Sequence, residues 1–149
     1  MQPKARAIII DDDASCRALL EVLLKQRGYE VISLSDPTAC PLYANSQCTC
    51  PQDHACGDFL LTDNRMPRMT GIEFVERQSQ RGCKGIVSNK AILSGTWDDE
   101  ELAHAERLGC QVFDKPYNFT EIMDWLDERE KQILPGRKLV VFDSDHYAH

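Results

Sequence analysis

The chain has 149 residues, the length of one ordinary domain, and its 42% hydrophobic and 28% charged residues exclude a disordered or collagen-like polymer. Asp plus Glu number 24 against 17 Lys plus Arg, and the resulting charge of −7 disfavours nucleic acid as a partner. No apolar run reaches the ~20 residues that span a bilayer, and the N-terminal apolar stretch is too short for a secretion signal. We therefore expect a cytoplasmic protein that has no membrane and no nucleic-acid partner.

Short apolar runs alternate with amphipathic stretches along the chain, which indicates strands alternating with helices. Strands are predicted at residues 7–10, 30–34, 59–63, 91–94 and 111–113. Helices are predicted at residues 14–26, from residue 71 to about 82, from residue 98 to 108, and from residue 118 onward. This order predicts an α/β fold, a doubly wound sheet of five parallel strands with helices on both faces.

Residues of the types that cap helix N-termini precede three of the predicted helices. Asp98 with Glu101 and Asn118 with Glu121 have the spacing of a capping box, and Asp13 stands directly before the first helix. The apolar side of that first helix is predicted to carry Cys16, Leu19, Leu20, Leu23 and Leu24. We expect this side to pack against the sheet.

Polar side chains stand at the carboxyl ends of the predicted strands, and they are Asp11, Asp12, Asp63, Ser94 and Lys115. They are far apart in sequence, yet the topology of a parallel sheet collects them at one edge, where the functional crevice of such folds lies. Three carboxylates there repel one another and need a compensating cation, either a hard metal ion or a lysine. Mg²⁺ fits best, because it takes oxygen ligands and keeps waters to complete its shell. A metal, an ammonium and a hydroxyl around one carboxylate form a layout suited to phosphoryl transfer.

Four short segments carry a family resemblance: IIIDDD (8–13), LLTDNRMPRMTG (60–71), AILSG (91–95) and FDKPY (113–117). In order and spacing they resemble the receiver domains of bacterial two-component response regulators, including chemotaxis regulators, over roughly residues 5–133. The resemblance implies the flavodoxin-like receiver fold. It also implies a signalling domain rather than an enzyme, one that assists only its own phosphotransfer and dephosphorylation. The implied partners are a sensor histidine kinase or phosphotransfer protein and a downstream protein target.

The resemblance also implies a role for each strand-end residue. Asp63 would be the phosphoacceptor, receiving the phosphoryl group from a phosphohistidine of the kinase. Mg²⁺ would be held by Asp11, Asp12, Asp63 and the backbone carbonyl of Arg65. The Ser94 hydroxyl would bond a phosphoryl oxygen, and Lys115 would pair with the acceptor carboxylate or its phosphate. A phosphoryl group on Asp63 would then pull Ser94 inward and shift the loop after the fourth strand. A partner protein that contacts this face would bind one of the two states better than the other.

Residues 37–57, called the cysteine insert below, replace the plain helix and short loop of ordinary receivers. The insert contains three prolines and four cysteines, Cys40, Cys48, Cys50 and Cys56. Four thiolates could hold a tetrahedral Zn²⁺ or an iron–sulfur cluster, could form a redox or disulfide pair, or could stand unligated in an irregular loop. An alternative function follows: a receiver-like protein-binding module controlled by metal or redox state at this insert.

The chain divides into a receiver domain at residues 1–134, with the cysteine insert inside it, and a C-terminal tail at residues 135–149. The tail follows a Pro-Gly pair and contains one short strand-like run, which indicates an added edge strand or a frayed terminus. No DNA-binding or catalytic output domain is recognised beside the receiver. We therefore expect a stand-alone response regulator.

Overall fold

The computed structural model of the chain describes residues 5–35, 57–66, 69–80, 89–115 and 118–133. Its strands are β1 (Arg6–Ile10), β2 (Glu30–Leu34), β3 (Phe59–Asp63), β4 (Lys90–Ser94) and β5 (Gln111–Asp114). Its helices are α1 (Ala14–Gln26), α2 (Gly71–Gln80), α3 (Asp99–Arg107) and α4 (Phe119–Glu130). The predicted alternation of strands and helices is confirmed, and the strand boundaries differ from the prediction by at most one residue.

All five strands run parallel in one sheet, in the order β2-β1-β3-β4-β5. This is the flavodoxin-like order, and it confirms the predicted doubly wound sheet. From β1 the chain first adds β2 on one side of the sheet, and it then adds β3, β4 and β5 on the other side. The strand order therefore reverses between β1 and β3, which are neighbours in the sheet. The crevice outside the carboxyl ends of these two strands is where folds of this kind bind their ligands.

Burial on both faces explains why the strands are nearly continuous apolar runs. Side chains alternate between two core layers, so Ile8 and Ile10 of β1 pack on the side of α2 and α3. Ala7 and Ile9 of the same strand pack on the opposite side, against α1 and α4. The sheet is therefore covered by helices on both faces, and the polar ends of its strands are left as the open edge.

Helix α1 begins where the sequence predicts, because the Asp13 side chain accepts hydrogen bonds from two backbone N–H groups of the first turn. Leu20 and Leu24 are fully buried against the sheet. The predicted position of Leu19 in that apolar stripe is wrong, since this side chain is 45% exposed. Successive helical residues are separated by ~100°, which rotates Leu19 away from the sheet when Leu20 faces it.

Cys16 and Cys110, the two cysteines within the described residues, do not form a disulfide. Cys110 is a buried core residue, and Cys16 is half-buried on α1. Cys40, Cys48, Cys50 and Cys56 of the cysteine insert and the tail at residues 135–149 lie outside the described residues, so the hypotheses about them stay predictions. Among the helices that the structure describes, none has the length and apolarity to cross a membrane.

Candidate functional site

Three carboxylates meet at the carboxyl ends of β1 and β3. One oxygen from each of Asp11, Asp12 and Asp63 lies within 4.8 Å of the other two. Asp11 and Asp63 are buried, whereas Asp12 is exposed at the rim. The structure therefore brings together the three acids that the sequence places at strand ends, at the point where the sheet order reverses.

Lys115 reaches the same cluster from the end of β5. Its Nζ lies 3.2 Å from Asp11 Oδ2 and 3.3 Å from Asp63 Oδ1, so the ammonium bridges two of the three carboxylates. Its backbone N–H donates to the Ser94 carbonyl at 3.0 Å, which continues the pairing of β5 with β4. This backbone bond fixes the point from which the long side chain extends to the acids.

Burial and like charge together shape the electrostatics of the cluster. Burial, and then the neighbouring Asp11 carboxylate, raise the pKa of Asp63 to about 6 against the opposing effect of Lys115. Burial alone would lower the pKa of Lys115, but the carboxylates of Asp11 and Asp63 outweigh it and raise that pKa. One ammonium does not balance three carboxylates, so the cluster keeps an attraction for a further cation.

Asp11 accepts hydrogen bonds from three neighbouring residues. The Asp13 N–H donates to Asp11 Oδ1 at 2.9 Å, while Lys115 bonds to the other carboxylate oxygen. Arg17, one turn into α1, donates through Nη1 to the Asp11 backbone carbonyl at 2.7 Å. Sequence reasoning did not identify Arg17, because its helical position offers no pattern that points to a backbone carbonyl.

Ser94 is fully buried at the end of β4, beside the strand that carries the acids. Its hydroxyl donates to the Thr96 carbonyl at 2.8 Å and accepts from the Thr96 N–H at 3.3 Å. The hydroxyl therefore closes a local turn at the start of the loop that leads to α3. Its predicted bond to a phosphoryl oxygen requires a change of partner.

The predicted role of Arg65 concerns its backbone carbonyl, and that role stays a prediction. The side chain of Arg65 is exposed and pairs with Glu101 on α3, with Nη2 2.6 Å from Oε1. Asn64, between Arg65 and Asp63, is fully buried and also donates to Glu101, at 2.8 Å. The sequence analysis did not identify Asn64, and it predicted Glu101 only as a capping-box residue of α3. A contact between residues 37 positions apart leaves no local pattern.

The donor set at this site fits Mg²⁺. Its carboxylate oxygens are hard ligands, they converge within 4.8 Å, and a partly exposed rim at Asp12 leaves room for water ligands. No sulfur or imidazole ligand belongs to the cluster among the described residues, which disfavours Zn²⁺ at this position. The arrangement can hold a divalent cation next to a buried carboxylate and an ammonium.

Comparison with known proteins gives the family. The sequence model of the family named response regulator receiver domain matches residues 7–127 of this chain. The chain therefore belongs to the response regulator receiver domain family, whose members are signalling domains that bind Mg²⁺ at an acidic pocket and interact with sensor histidine kinases or phosphotransfer proteins. The structure of this chain has a cluster of three aspartates, Asp11, Asp12 and Asp63.

Two curated relatives have sequences similar to this chain. The transcriptional regulatory protein FixJ of Azorhizobium caulinodans is 28% identical over 116 residues, which cover 77% of this chain and 50% of FixJ. The CAI-1 autoinducer sensor kinase/phosphatase CqsS of Vibrio cholerae is 31% identical over 112 residues, covering 72% of this chain and 15% of CqsS. This chain thus spans half or less of these relatives.

A response regulator receiver protein from Pseudomonas putida shares the fold, with a TM-score of 0.68 and 22% identity over 86% of this chain and 98% of that one. The family resemblance predicted from four sequence motifs is confirmed. The cysteine insert is not part of what the comparisons show.

Proposed function

We propose that the chain accepts a phosphoryl group on Asp63 from a phosphohistidine of a sensor kinase or phosphotransfer protein. The observation that carries the proposal is the convergence of Asp11, Asp12 and Asp63 within 4.8 Å, beside the Lys115 ammonium. The kinase partner draws its phosphoryl group from ATP, so the reaction is assigned to the cytoplasm. The chain acts as a response regulator whose surface differs between the two phosphorylation states.

The transfer is a single displacement at phosphorus. A carboxylate oxygen of Asp63 attacks the phosphorus atom, the bond from phosphorus to the donor imidazole breaks, and the imidazole nitrogen leaves with the electron pair and takes a proton from solvent. An acyl phosphate results. Lys115, 3.3 Å from Asp63 Oδ1, pairs with the charge that develops on the phosphoryl oxygens. The domain assists this transfer and the later hydrolysis of its own acyl phosphate, and it converts no other substrate.

Mg²⁺ would be held by Asp11, Asp12, Asp63 and the backbone carbonyl of Arg65. The bound ion would supply neutralisation of the negative charge that the phosphoryl group brings to an already acidic site. Asp11 is suited to this role because Asp13 and Lys115 fix its two carboxylate oxygens. Asp12 is suited to it because its exposed position lets water complete the metal shell.

Phosphorylation of Asp63 changes the hydrogen bonds of Ser94 and thereby the conformation of the loop that follows it. A phosphoryl oxygen on Asp63 competes with Thr96 for the Ser94 hydroxyl, which now bonds to the Thr96 carbonyl and N–H. Loss of those two bonds opens the turn between β4 and Asp98, the residue that caps α3. A downstream protein that contacts this loop then binds one state better than the other.

Direct labelling tests the assignment of the acceptor. The chain is incubated with acetyl phosphate and Mg²⁺, and intact mass spectrometry counts the added phosphoryl groups. One group is expected on the wild type, removable by hydroxylamine as an acyl phosphate, and none on Asp63→Asn. Asp114→Asn removes an exposed acid beside Lys115 and serves as the matched control. Full labelling of Asp63→Asn would contradict the proposal.

We assign residues 1–134 to the receiver unit and residues 135–149 to a tail outside it. The end of the family match at residue 127 supports this division. The boundary is tested by limited proteolysis, in which cleavage after residue 134 should leave the remaining fragment as cooperatively folded as the whole chain. Loss of cooperative unfolding in that fragment would place the tail inside the domain.

A second candidate function rests on the cysteine insert. Four cysteines, Cys40, Cys48, Cys50 and Cys56, fall within 17 residues, a density that supports a Zn²⁺ or iron–sulfur site or a redox pair. In that case metal or redox state would control a receiver-like binding module. Elemental analysis of purified protein, with the four-fold Cys→Ser variant as control, tests it. Absence of zinc and iron, with four titratable thiols in the insert, would contradict both versions.

A further inference from the structure

Asn64, the residue directly after the proposed acceptor, bonds to three other elements of the fold. Its backbone N–H donates to the Leu93 carbonyl of β4 at 2.9 Å, and its carbonyl accepts from the Gly71 N–H of α2 at 3.1 Å. Its side-chain oxygen accepts from the Ile72 N–H at 3.3 Å, and its side-chain nitrogen donates to Glu101 at 2.8 Å. The end of β3 is thus tied to β4, α2 and α3 through one buried residue.

Glu101 carries two sets of contacts on one carboxylate that is only 17% exposed. Toward α3 it completes the capping box, since it accepts from the Asp98 N–H at 3.3 Å while Asp98 accepts from the Glu101 N–H at 2.7 Å. Toward β3 it accepts from Asn64 at 2.8 Å and from Arg65 at 2.6 Å. A helix cap requires only the first set.

We propose that Glu101 is a positioning residue that couples the cation site at Asp63 to the first turn of α3. This inference rests on the proposed function, because it assigns Arg65 to the metal through its backbone carbonyl. Glu101 holds the side chains of Asn64 and Arg65, the two residues after Asp63, and so fixes the backbone between them. The same carboxylate holds the N-cap of α3, so a shift at one end strains the contacts at the other.

Thermodynamic linkage makes the coupling between the cation site and α3 reciprocal. If the contacts of Glu101 favour the backbone conformation that binds Mg²⁺, then bound Mg²⁺ must favour those contacts and the capped first turn of α3 by the same free energy. The arrangement therefore offers a route from the acidic site to α3 that is separate from Ser94. It also turns the Arg65 guanidinium toward α3, where it is paired with a partly buried carboxylate.

Two variants of Glu101 and two controls separate positioning from simple helix capping. Glu101→Gln keeps the length of the side chain but loses its charge and one acceptor, and Glu101→Ala removes all the side-chain contacts. Asp98→Ala breaks the capping box from its other side while leaving Glu101 free to bond Asn64 and Arg65. Glu106→Gln removes an exposed charge from the same helix.

The first measurement is the dissociation constant of Mg²⁺ alone, by isothermal titration calorimetry, with no phosphoryl donor present. Both Glu101 variants should bind Mg²⁺ weaker by about fivefold or more, a usual size for a coupling between linked sites. Asp98→Ala keeps the bonds of Glu101 to Asn64 and Arg65, so it should lose clearly less affinity for Mg²⁺ than Glu101→Ala. Glu106→Gln should stay within about twofold of the wild type. Equal weakening in Asp98→Ala and Glu101→Ala would show that Glu101 acts only as a cap and would overturn the proposal.

The second measurement is hydrogen exchange of the backbone amides at residues 98–103. Mg²⁺ should slow this exchange in the wild type and leave it unchanged in both Glu101 variants. Glu101→Gln gives the comparison if Glu101→Ala fails to fold. Wild-type behaviour of Glu101→Gln in both measurements, or a wild type that binds no Mg²⁺, would overturn the coupling. A wild type that shows the coupling but takes no phosphoryl group would overturn the proposed function alone.

Discussion

Gly71 and Asp63 approach each other so closely that Gly71 has no room for a side chain. A Cβ atom at residue 71 would lie 2.5 Å from the backbone carbonyl oxygen of Asp63 and 3.1 Å from Cγ2 of Thr62. The Gly71 N–H donates to the Asn64 carbonyl at 3.1 Å, which draws the start of α2 against the end of β3. The geometry of the acidic site thus depends on a residue that has no functional group.

Substitution of Gly71 by Ala should therefore disturb both the fold and the site. Because the obstructing atom belongs to the backbone, the strand end or the helix must shift, and we expect the free energy of unfolding to fall by about 1–3 kcal/mol. Urea denaturation followed by circular dichroism measures this loss, and the rate of labelling by acetyl phosphate should fall with it.

Gly95→Ala is the matched control for that variant. A Cβ atom at residue 95 would meet only the Lys115 Cβ, at an ordinary 3.8 Å. The free energy of unfolding of Gly95→Ala should therefore stay within about 0.5 kcal/mol of the wild-type value. Equal stability of both variants and the wild type would contradict the close approach of α2 to β3.

The fold could be predicted from sequence because local signals agree with the tertiary arrangement. Helix α1 begins and ends at the predicted residues since Asp13 caps it and an apolar stripe defines its buried side. The exposed position of Leu19 shows the limit of that reasoning. An apolar stripe indicates which side of a helix is buried, whereas the exact rotation of the helix depends on how its neighbours pack.

The acidic site could be predicted only in part, for a related reason. Asp11, Asp63 and Lys115 follow strands, and the topology of a parallel sheet is sufficient to bring strand ends together. Glu101 reaches the site from the first turn of a helix, and its contact with Asn64 depends on the distance between α3 and β3. That distance follows from core packing, which the pattern of residue types does not specify.

Lys115 should be essential for rapid phosphoryl transfer. Lys115→Met keeps the length and packing of the side chain but removes the ammonium 3.3 Å from Asp63, leaving the phosphoryl charge without its cation. We expect the rate of labelling by acetyl phosphate to fall by about 100-fold or more, the usual loss when one stabilising donor is removed. Lys131→Met, at an exposed lysine after α4, should label at the wild-type rate. A wild-type rate in Lys115→Met would remove Lys115 from the mechanism.

The Cys110 thiol should be unreactive in the folded protein. Burial raises the pKa of this thiol to about 11, so at pH 8 almost none of it is thiolate, the form that attacks alkylating reagents. Iodoacetamide labelling mapped by peptide mass spectrometry should leave Cys110 largely unmodified at pH 8. Labelling should increase as the pH rises toward 11, or when urea unfolds the chain. The half-buried Cys16 provides the internal comparison. Rapid modification of Cys110 at pH 8 without denaturant would contradict its place in the core.

Replacement of Asp12 by Asn should change stability in opposite directions with and without Mg²⁺. The Asp12 carboxylate repels Asp63 and helps to raise its pKa, so the metal-free protein carries an unfavourable interaction that Asp12→Asn removes. Because Asp12 is exposed and screened by water, the free energy of unfolding should rise by no more than about 1 kcal/mol.

Adding Mg²⁺ should reverse that order. The wild type gains stability from every ion that binds the folded state, while Asp12→Asn has lost a proposed ligand and gains less. Urea denaturation at increasing Mg²⁺ concentration measures both effects in one series. Asp124→Asn removes an exposed acid from α4 and should respond to Mg²⁺ as the wild type does. If Asp12→Asn gained as much stability from Mg²⁺ as the wild type, Asp12 would not be a ligand. The cluster would then hold its cation through Asp11 and Asp63 alone among the three acids.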